Sequence, residues 1–242
     1  MWRHYRHSKA DNVKAQAYFR RALAIDPQYV QATAALSIAL CAAAYLNWAD
    51  NAEQGYEESF ELAQRAVVLD SRYPLAHFAL GLVCMWTKRG ERAIAAFEEA
   101  IKLNPSYAAA HVLLGQMHLY RGRPEETIAL AETGIRLSPS DPRLFIWLVA
   151  LAGAYYQLRR YAAAIEAGRR SWTLNRNWPG GLRYAVAGHA QLGQMDEARA
   201  ALAELRHLNP DLAFIEGNLR RLYWDQAAVD HVLAGLRMAG FE

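Results

Sequence analysis

Residues 93–105 read AIAAFEEAIKLNP, and residues 127–139 read TIALAETGIRLSP. Ala93, Phe97, Ala100 and Pro105 of the first stretch are matched by Thr127, Ala131, Gly134 and Pro139 of the second, each displaced by 34 residues. The same internal spacing fits Ala15, Phe19, Ala22 and Pro27 near the start, and Ala198, Leu202, Leu205 and Pro210 near the end. Two degenerate copies complete the series: Ser59, Ala63, Ala66, Ser71 and Ala164, Gly168, Ser171, Arg176. One repeat carries ten extra residues and one junction carries three. A fixed period of this length marks a repeat architecture.

Each unit reads as two helices. Ala93, Ile94, Phe97, Ala100 and Ile101 form one apolar face, while Glu98, Glu99 and Lys102 stay outside it. Upstream, Leu75, Phe78, Ala79, Leu82 and Val83 trace a first helix that breaks at Lys88-Arg89-Gly90. Gly90, Gly122 and Gly193 fall between the two helices, where a left-handed residue ends the first one. Pro27, Pro105, Pro139 and Pro210 follow second helices, and Pro74, Pro124, Pro142 and Pro179 suit helix starts. Small residues at the repeating slots let antiparallel helices approach to about 8–10 Å, with Phe19 or Phe97 filling the gap. One such pair cannot bury its apolar face, so neighbours must stack. The expected fold is all-α.

These residues name a family. His77, Leu80, Gly81, Ala93, Phe97, Ala100 and Pro105 match the signature slots of the tetratricopeptide repeat, and the next unit repeats His111, Leu114 and Gly115. The chain resembles that family over roughly residues 1 to 211. The resemblance implies a right-handed superhelical solenoid of about six antiparallel helix pairs. An insertion lies near residues 46–55, and residues 212–242 read as C-terminal capping helices. It departs from the pattern where His77 and His111 replace the early aromatic, and where Ala185 and Val186 replace Leu and Gly. Met1 to Ala10 leave no room for a full first helix before the segment Asp11 to Ile25. The first repeat is therefore truncated, and the chain reads as the C-terminal piece of something longer. The Leu46 to Asp50 insertion and the closing Asp230, Leu233, Gly235, Leu236, Gly240 run narrow the resemblance. They are similar to repeat regions at the C-terminus of bacterial class III adenylate/guanylate cyclases and of some winged-helix regulators, although no cyclase or winged-helix motif occurs in the chain.

Composition removes several functions. Hydrophobic residues at 53% and charged residues at 21% exclude general disorder. A formal net charge of +3, with the Arg pairs 20–21, 159–160, 169–170 and 220–221 spread along the chain, gives no basic stripe for nucleic acid. Cys41 and Cys84 read as buried free thiols in a reducing compartment. The N-terminus has no signal-peptide core, and the Ala-rich run 32–46 falls short of the ~20 strongly apolar residues that span a bilayer. A cytoplasmic protein is expected.

No phosphate loop, dinucleotide fingerprint or nucleophile elbow occurs, and no strand is predicted to carry one. Glu57-Glu58, Glu98-Glu99 and Glu125-Glu126 are adjacent helical pairs that point about 100° apart, so they do not converge. His77/Cys84 and His111/His118 are pairs seven residues apart, about 10.5 Å along a helix. Zinc ligands on one helix are normally closer in sequence, so no metal, cofactor or catalytic residue is assigned.

The resemblance then implies a binding face. In the repeat family the first helices line the concave side, and their non-core positions touch the ligand. Carried onto this sequence, those positions are Phe78, Leu82 and Trp86, then Val112, Gln116 and Tyr120, then Val149, Tyr156 and Gln157, then Arg183. Phe78/Leu82 and Val112/Gln116 stand where chaperone-binding members carry a Lys and Asn clamp, so an acidic chaperone tail is not the expected ligand. A protein partner presenting an amphipathic helix or an extended segment suits an apolar, aromatic groove. Two readings stand for Phe78, Trp86 and Tyr156: ligand contact, or filler against the insertion or a capping helix. The rival functions are a homo-oligomerisation module without a peptide ligand and, remotely, a metal or enzymatic site.

Overall fold

A computed structural model describes residues 8–208 and 211–242. Pro210 and most of the segment Met1 to Ala10, where the first repeat reads as truncated, lie outside the described residues. Thirteen α-helices and no strand occur among the described residues. The chain divides into two compact units, one ending at Ala110 and one beginning at His111. The first contains α1 (Lys9–Ile25), α2 (Val30–Tyr45), α3 (Ala52–Leu69), α4 (Pro74–Trp86) and α5 (Gly90–Leu103). Next in the chain is α6 (Ala108–Tyr120), which enters the second unit. There follow α7 (Pro124–Leu137), α8 (Leu144–Gln157), α9 (Tyr161–Leu174), α10 (Leu182–Gln191), α11 (Met195–Leu208), α12 (Leu212–Leu222) and α13 (Gln226–Met238).

Helix boundaries follow local chemistry. Ser8, Asn51, Asp211 and Asp225 cap α1, α3, α12 and α13 by accepting from first-turn amides. Pro74 and Pro124 open α4 and α7, where a missing N–H costs nothing. The insertion is ordered: α2 and α3 are 16 and 18 residues long against 13 and 14 for α4 and α5. Between them, the amides of Trp48 and Ala49 both donate to the Ala43 carbonyl.

The interhelix turns correct one expectation. Left-handed φ falls at Asn47 (56°), Lys88 (58°), Gly122 (76°), Arg159 (57°) and Gly193 (72°). Gly90 is not the turn residue; it opens α5. A side chain at positive φ is strained, yet the tight turn enforces that conformation at Lys88 and Arg159 without glycine.

Inside each pair the repeated slots are buried. Ala63, Ala66, Ala93, Phe97, Ala100, Ala131, Ala164 and Ala198 have no solvent exposure. Gly81 faces the ring of Phe97 so closely that a Cβ there would lie 2.6 Å from its Cε1. The degenerate slots are hydroxyls that bind the partner helix. Ser37 Oγ donates to the Ser59 carbonyl at 2.7 Å and Ser59 Oγ to the Ser37 carbonyl at 2.9 Å. Thr127 Oγ1 reaches the Gly115 carbonyl at 2.8 Å, and Ser171 Oγ the Phe145 carbonyl at 2.6 Å. A small side chain with its hydroxyl satisfied is thus as acceptable as alanine. In α1, by contrast, Ala15, Phe19 and Ala22 are only half-buried, and no residue of the helix is fully covered.

Candidate protein-interaction face

The first helices α2 and α4 belong to the first unit, and α8 and α10 to the second. In the first unit Phe78 is core: its ring lies 4.9 Å from Tyr107 and 5.9 Å from Phe97. Leu82 is also buried. Trp86 is half-buried and stacks on Tyr45, with ring centres 4.8 Å apart and planes 11° from parallel. Tyr45 was not among the expected face residues, because it lies at the end of the helix that precedes the insertion.

In the second unit two of the expected residues, Tyr120 and Tyr156, meet the chain's own C-terminal segment. Val112 and Val149 are buried. Gln116 Nε2 donates to Tyr120 Oη at 2.6 Å, and Gln157 Nε2 to the Leu119 carbonyl at 3.4 Å. Tyr120 packs its ring 4.8 Å from Tyr223, and its carbonyl accepts from the Trp224 amide at 2.8 Å. Tyr156 is fully buried, donates to the His231 carbonyl at 3.0 Å and lies 4.6 Å from the His231 ring. Helix α13 packs on α10 and also touches α8. The closest approach is at Gly235, where a Cβ would stand 2.5 Å from Tyr156 Oη and 2.7 Å from the Ala187 Cβ.

Sequence reasoning placed Tyr223, His231 and Gly235 in a cap and not on this face. One signal was available: Ala228, Val232, Gly235 and Ala239 recur at helical spacing and are all buried. Only the fold could show which surface that small-residue stripe would meet.

Arg183 sits half-buried beside this contact, its guanidinium 5.0 Å from the Tyr184 ring. Its Nε is shut off from solvent without a hydrogen-bond partner, and among the described residues no carboxylate forms an ion pair with it. The Tyr184 and Tyr223 hydroxyls lie 2.9 Å apart. Burial pushes the phenols of Tyr120, Tyr156 and Tyr223 far above their ordinary value, so they remain protonated hydrogen-bond donors. Burial, with Arg159 nearby, lowers the pKa of His231.

The residues weighed for a metal do not assemble one. His77 Nε2 lies 2.8 Å from the Ser71 carbonyl, and the Cys84 thiol is buried and pushed up to about 11 by desolvation. His118 is buried in the second unit with Glu126 3.8 Å away. Among the described residues, no three His, Cys, Asp or Glu side chains are placed to hold a metal ion. No helix among them is long and apolar enough to cross a membrane.

Residues 87–142 match the tetratricopeptide repeat family. Together with the paired helices, this supports a tetratricopeptide repeat protein. No protein of curated function matches the chain by sequence. Among solved structures, the chain is similar to the Cut9–Hcn1 hetero-tetramer of the APC/C, at 16% identity and TM-score 0.70, covering 96% of this chain and 44% of that one. It is similar to PilF of Pseudomonas aeruginosa, at 22% identity and TM-score 0.60, covering 88% and 91%. It is also similar to YrrB, described as a tetratricopeptide repeat protein with an unusual peptide-binding site, at 14% identity and TM-score 0.54, covering 81% and 94%. At these identities the likeness is one of fold: an all-α helical-repeat solenoid.

Proposed function

We propose that the chain is a protein-interaction scaffold whose first-helix faces accept a helical or extended segment of a partner, within a larger bacterial signalling protein of the cyclase or winged-helix type. The observation that carries this reading is α13 itself. The face built by Tyr156 and Ala187 already receives a helix, through a hydrogen bond from Tyr156 Oη to the His231 carbonyl and a close contact at Gly235. The stacked Tyr45–Trp86 pair offers an aromatic surface of the same type in the first unit. No catalytic residue is proposed.

A photo-crosslinker at position 86 or, in a separate chain, at position 116 should capture a defined partner, and Trp86→Ala should weaken capture by its own unit while helicity is kept. Unchanged capture by a folded Trp86→Ala protein would sink the assignment to that residue.

A second reading, self-association, is favoured by α1. Its slots Ala15, Phe19 and Ala22 are half-exposed, although their counterparts are buried in every later second helix, and Val13, Tyr18 and Ile25 are exposed. Light scattering at rising concentration should show assembly that Phe19→Asp abolishes. A monomer throughout would remove this reading.

A further inference from the structure

The geometry points to the α12–α13 hairpin being a resident, displaceable occupant of the second unit's first-helix face, holding the place of an acidic amphipathic helix. The inference rests on the interaction reading above and adds the class of partner and how its access is controlled.

Helix α13 does not continue the array as its place in the chain would require. As the second helix of another pair it would pack chiefly on its neighbour α12. It lies instead along α10 and reaches α8, two first helices. The polar contacts are of a kind another helix could reproduce. Tyr156 Oη donates to the carbonyl of His231, and the Tyr120 carbonyl accepts from the amide of Trp224; both read the occupant's backbone and not its side chains. The steric demand is equally simple. One glycine must stand against Tyr156 and Ala187, and Gly235 supplies it.

The resident helix leaves one demand unmet. Arg183 brings a cation to this face, and the occupant sets against it the phenol of Tyr223 and no carboxylate. The half-buried guanidinium is met by the phenols of Tyr184 and Tyr223, and a planar, two-pronged pairing with a carboxylate would be stronger than either. Arg159, just past the end of α8, adds positive charge near His231. The nearby acids are engaged elsewhere: Asp225 caps α13, and Glu216 pairs with Arg220 and Arg237. A partner helix carrying Glu where Tyr223 stands, and Gly twelve residues later where Gly235 stands, would therefore outcompete the resident.

The test uses the full chain and a labelled synthetic peptide of residues 211–242, with binding read by fluorescence anisotropy. Gly235→Ala places a methyl against the Ala187 backbone and should expel the resident, so this variant takes up the native peptide while the unmodified chain does not. The Tyr223→Glu peptide should bind about tenfold tighter than the native one, and Arg183→Gln in the chain should erase that gain. As a second route that does not depend on the Gly235→Ala fold, a protease site at 209–210 allows the hairpin to be nicked in place. The Tyr223→Glu peptide should then displace the nicked fragment. Failure of the native peptide to enter the helical Gly235→Ala chain, or of the acidic peptide to displace the nicked fragment, overturns the proposal. So does an equal affinity of the two peptides. Peptide exchange with no partner captured at positions 86 or 116 would instead leave this proposal standing and fail the functional reading alone.

Discussion

Phe97 and Gly81 form the tightest side-chain-to-backbone fit of the first unit, and their coupling can be worked out in advance. Phe97 is completely buried, and its ring carbons Cε1, Cδ1 and Cζ would lie 2.6, 2.7 and 3.0 Å from a Cβ at position 81. Phe97→Ala removes the ring and leaves a cavity, costing about 3–5 kcal/mol. Gly81→Ala drives a methyl into the ring, costing roughly 1–3 kcal/mol, partly offset by about 1 kcal/mol of better helix propensity. In the double variant the methyl enters space the ring has vacated, so its clash vanishes while its propensity gain remains. The double variant should be more stable than the sum of the singles predicts, by more than about 1 kcal/mol. Urea unfolding supplies the energies, and amide exchange in α4 and α5 localises them, since two compact units need not melt as one. Coupling below about 0.5 kcal/mol would refute the claim that Gly81 is there to admit the ring.

Other outcomes follow from single features. Lys88→Gly should stabilise by roughly 0.5–1 kcal/mol because φ there is positive, whereas Asn47→Gly should change little; the urea midpoint decides both. Cys84, pushed up to about 11, and the more deeply buried Cys41 should react with a thiol reagent at pH 8 only at the rate of unfolding. Fast labelling in the folded chain would contradict that burial. His231 is held below its unfolded value, so the unfolded chain binds its proton first. Docking of α13 should weaken as pH falls below about 6.5 and level off once the folded ring also protonates. Tyr156, Tyr161 and Arg159 face this ring, Arg159 opposes its charge, and Asp225 lines the same cavity. The opening free energy of α13, from amide exchange corrected for the intrinsic rate at each pH, should lose this pH dependence in His231→Gln.

The periodic slots were legible because each one is a local packing requirement, repeated at Ala93, Phe97 and Ala100 and again at Thr127, Ala131 and Gly134. The turns were less legible. Glycine is only one way to occupy a left-handed position, and Lys88 and Arg159 are held there by the turn without announcing it in their chemistry. The family resemblance, and no local pattern in the chain, assigns Tyr120, Tyr156 and Arg183 to one face. A capping helix was one of two readings for what Tyr156 meets; the choice between them could not be made, because the contact between Tyr156 and His231 joins positions 75 apart that no local pattern links. Phe19, expected to fill a gap between helices as Phe97 does, is only half-buried, a difference the identical slot pattern did not reveal.

That long-range contact also bears on how the chain comes apart. In a linear repeat array each unit is held only by its neighbours, so stability propagates stepwise and unfolding can start at an end. Helix α1, without a fully buried residue and packed chiefly on α2, should open first. In the second unit the return of α13 onto α10 and α8 ties the last helices to the middle of the sequence. Loop closure must be met before those contacts form, which slows folding and makes the unit open as one block. One chain would thus combine an end that frays gradually with a segment that holds until it opens all at once.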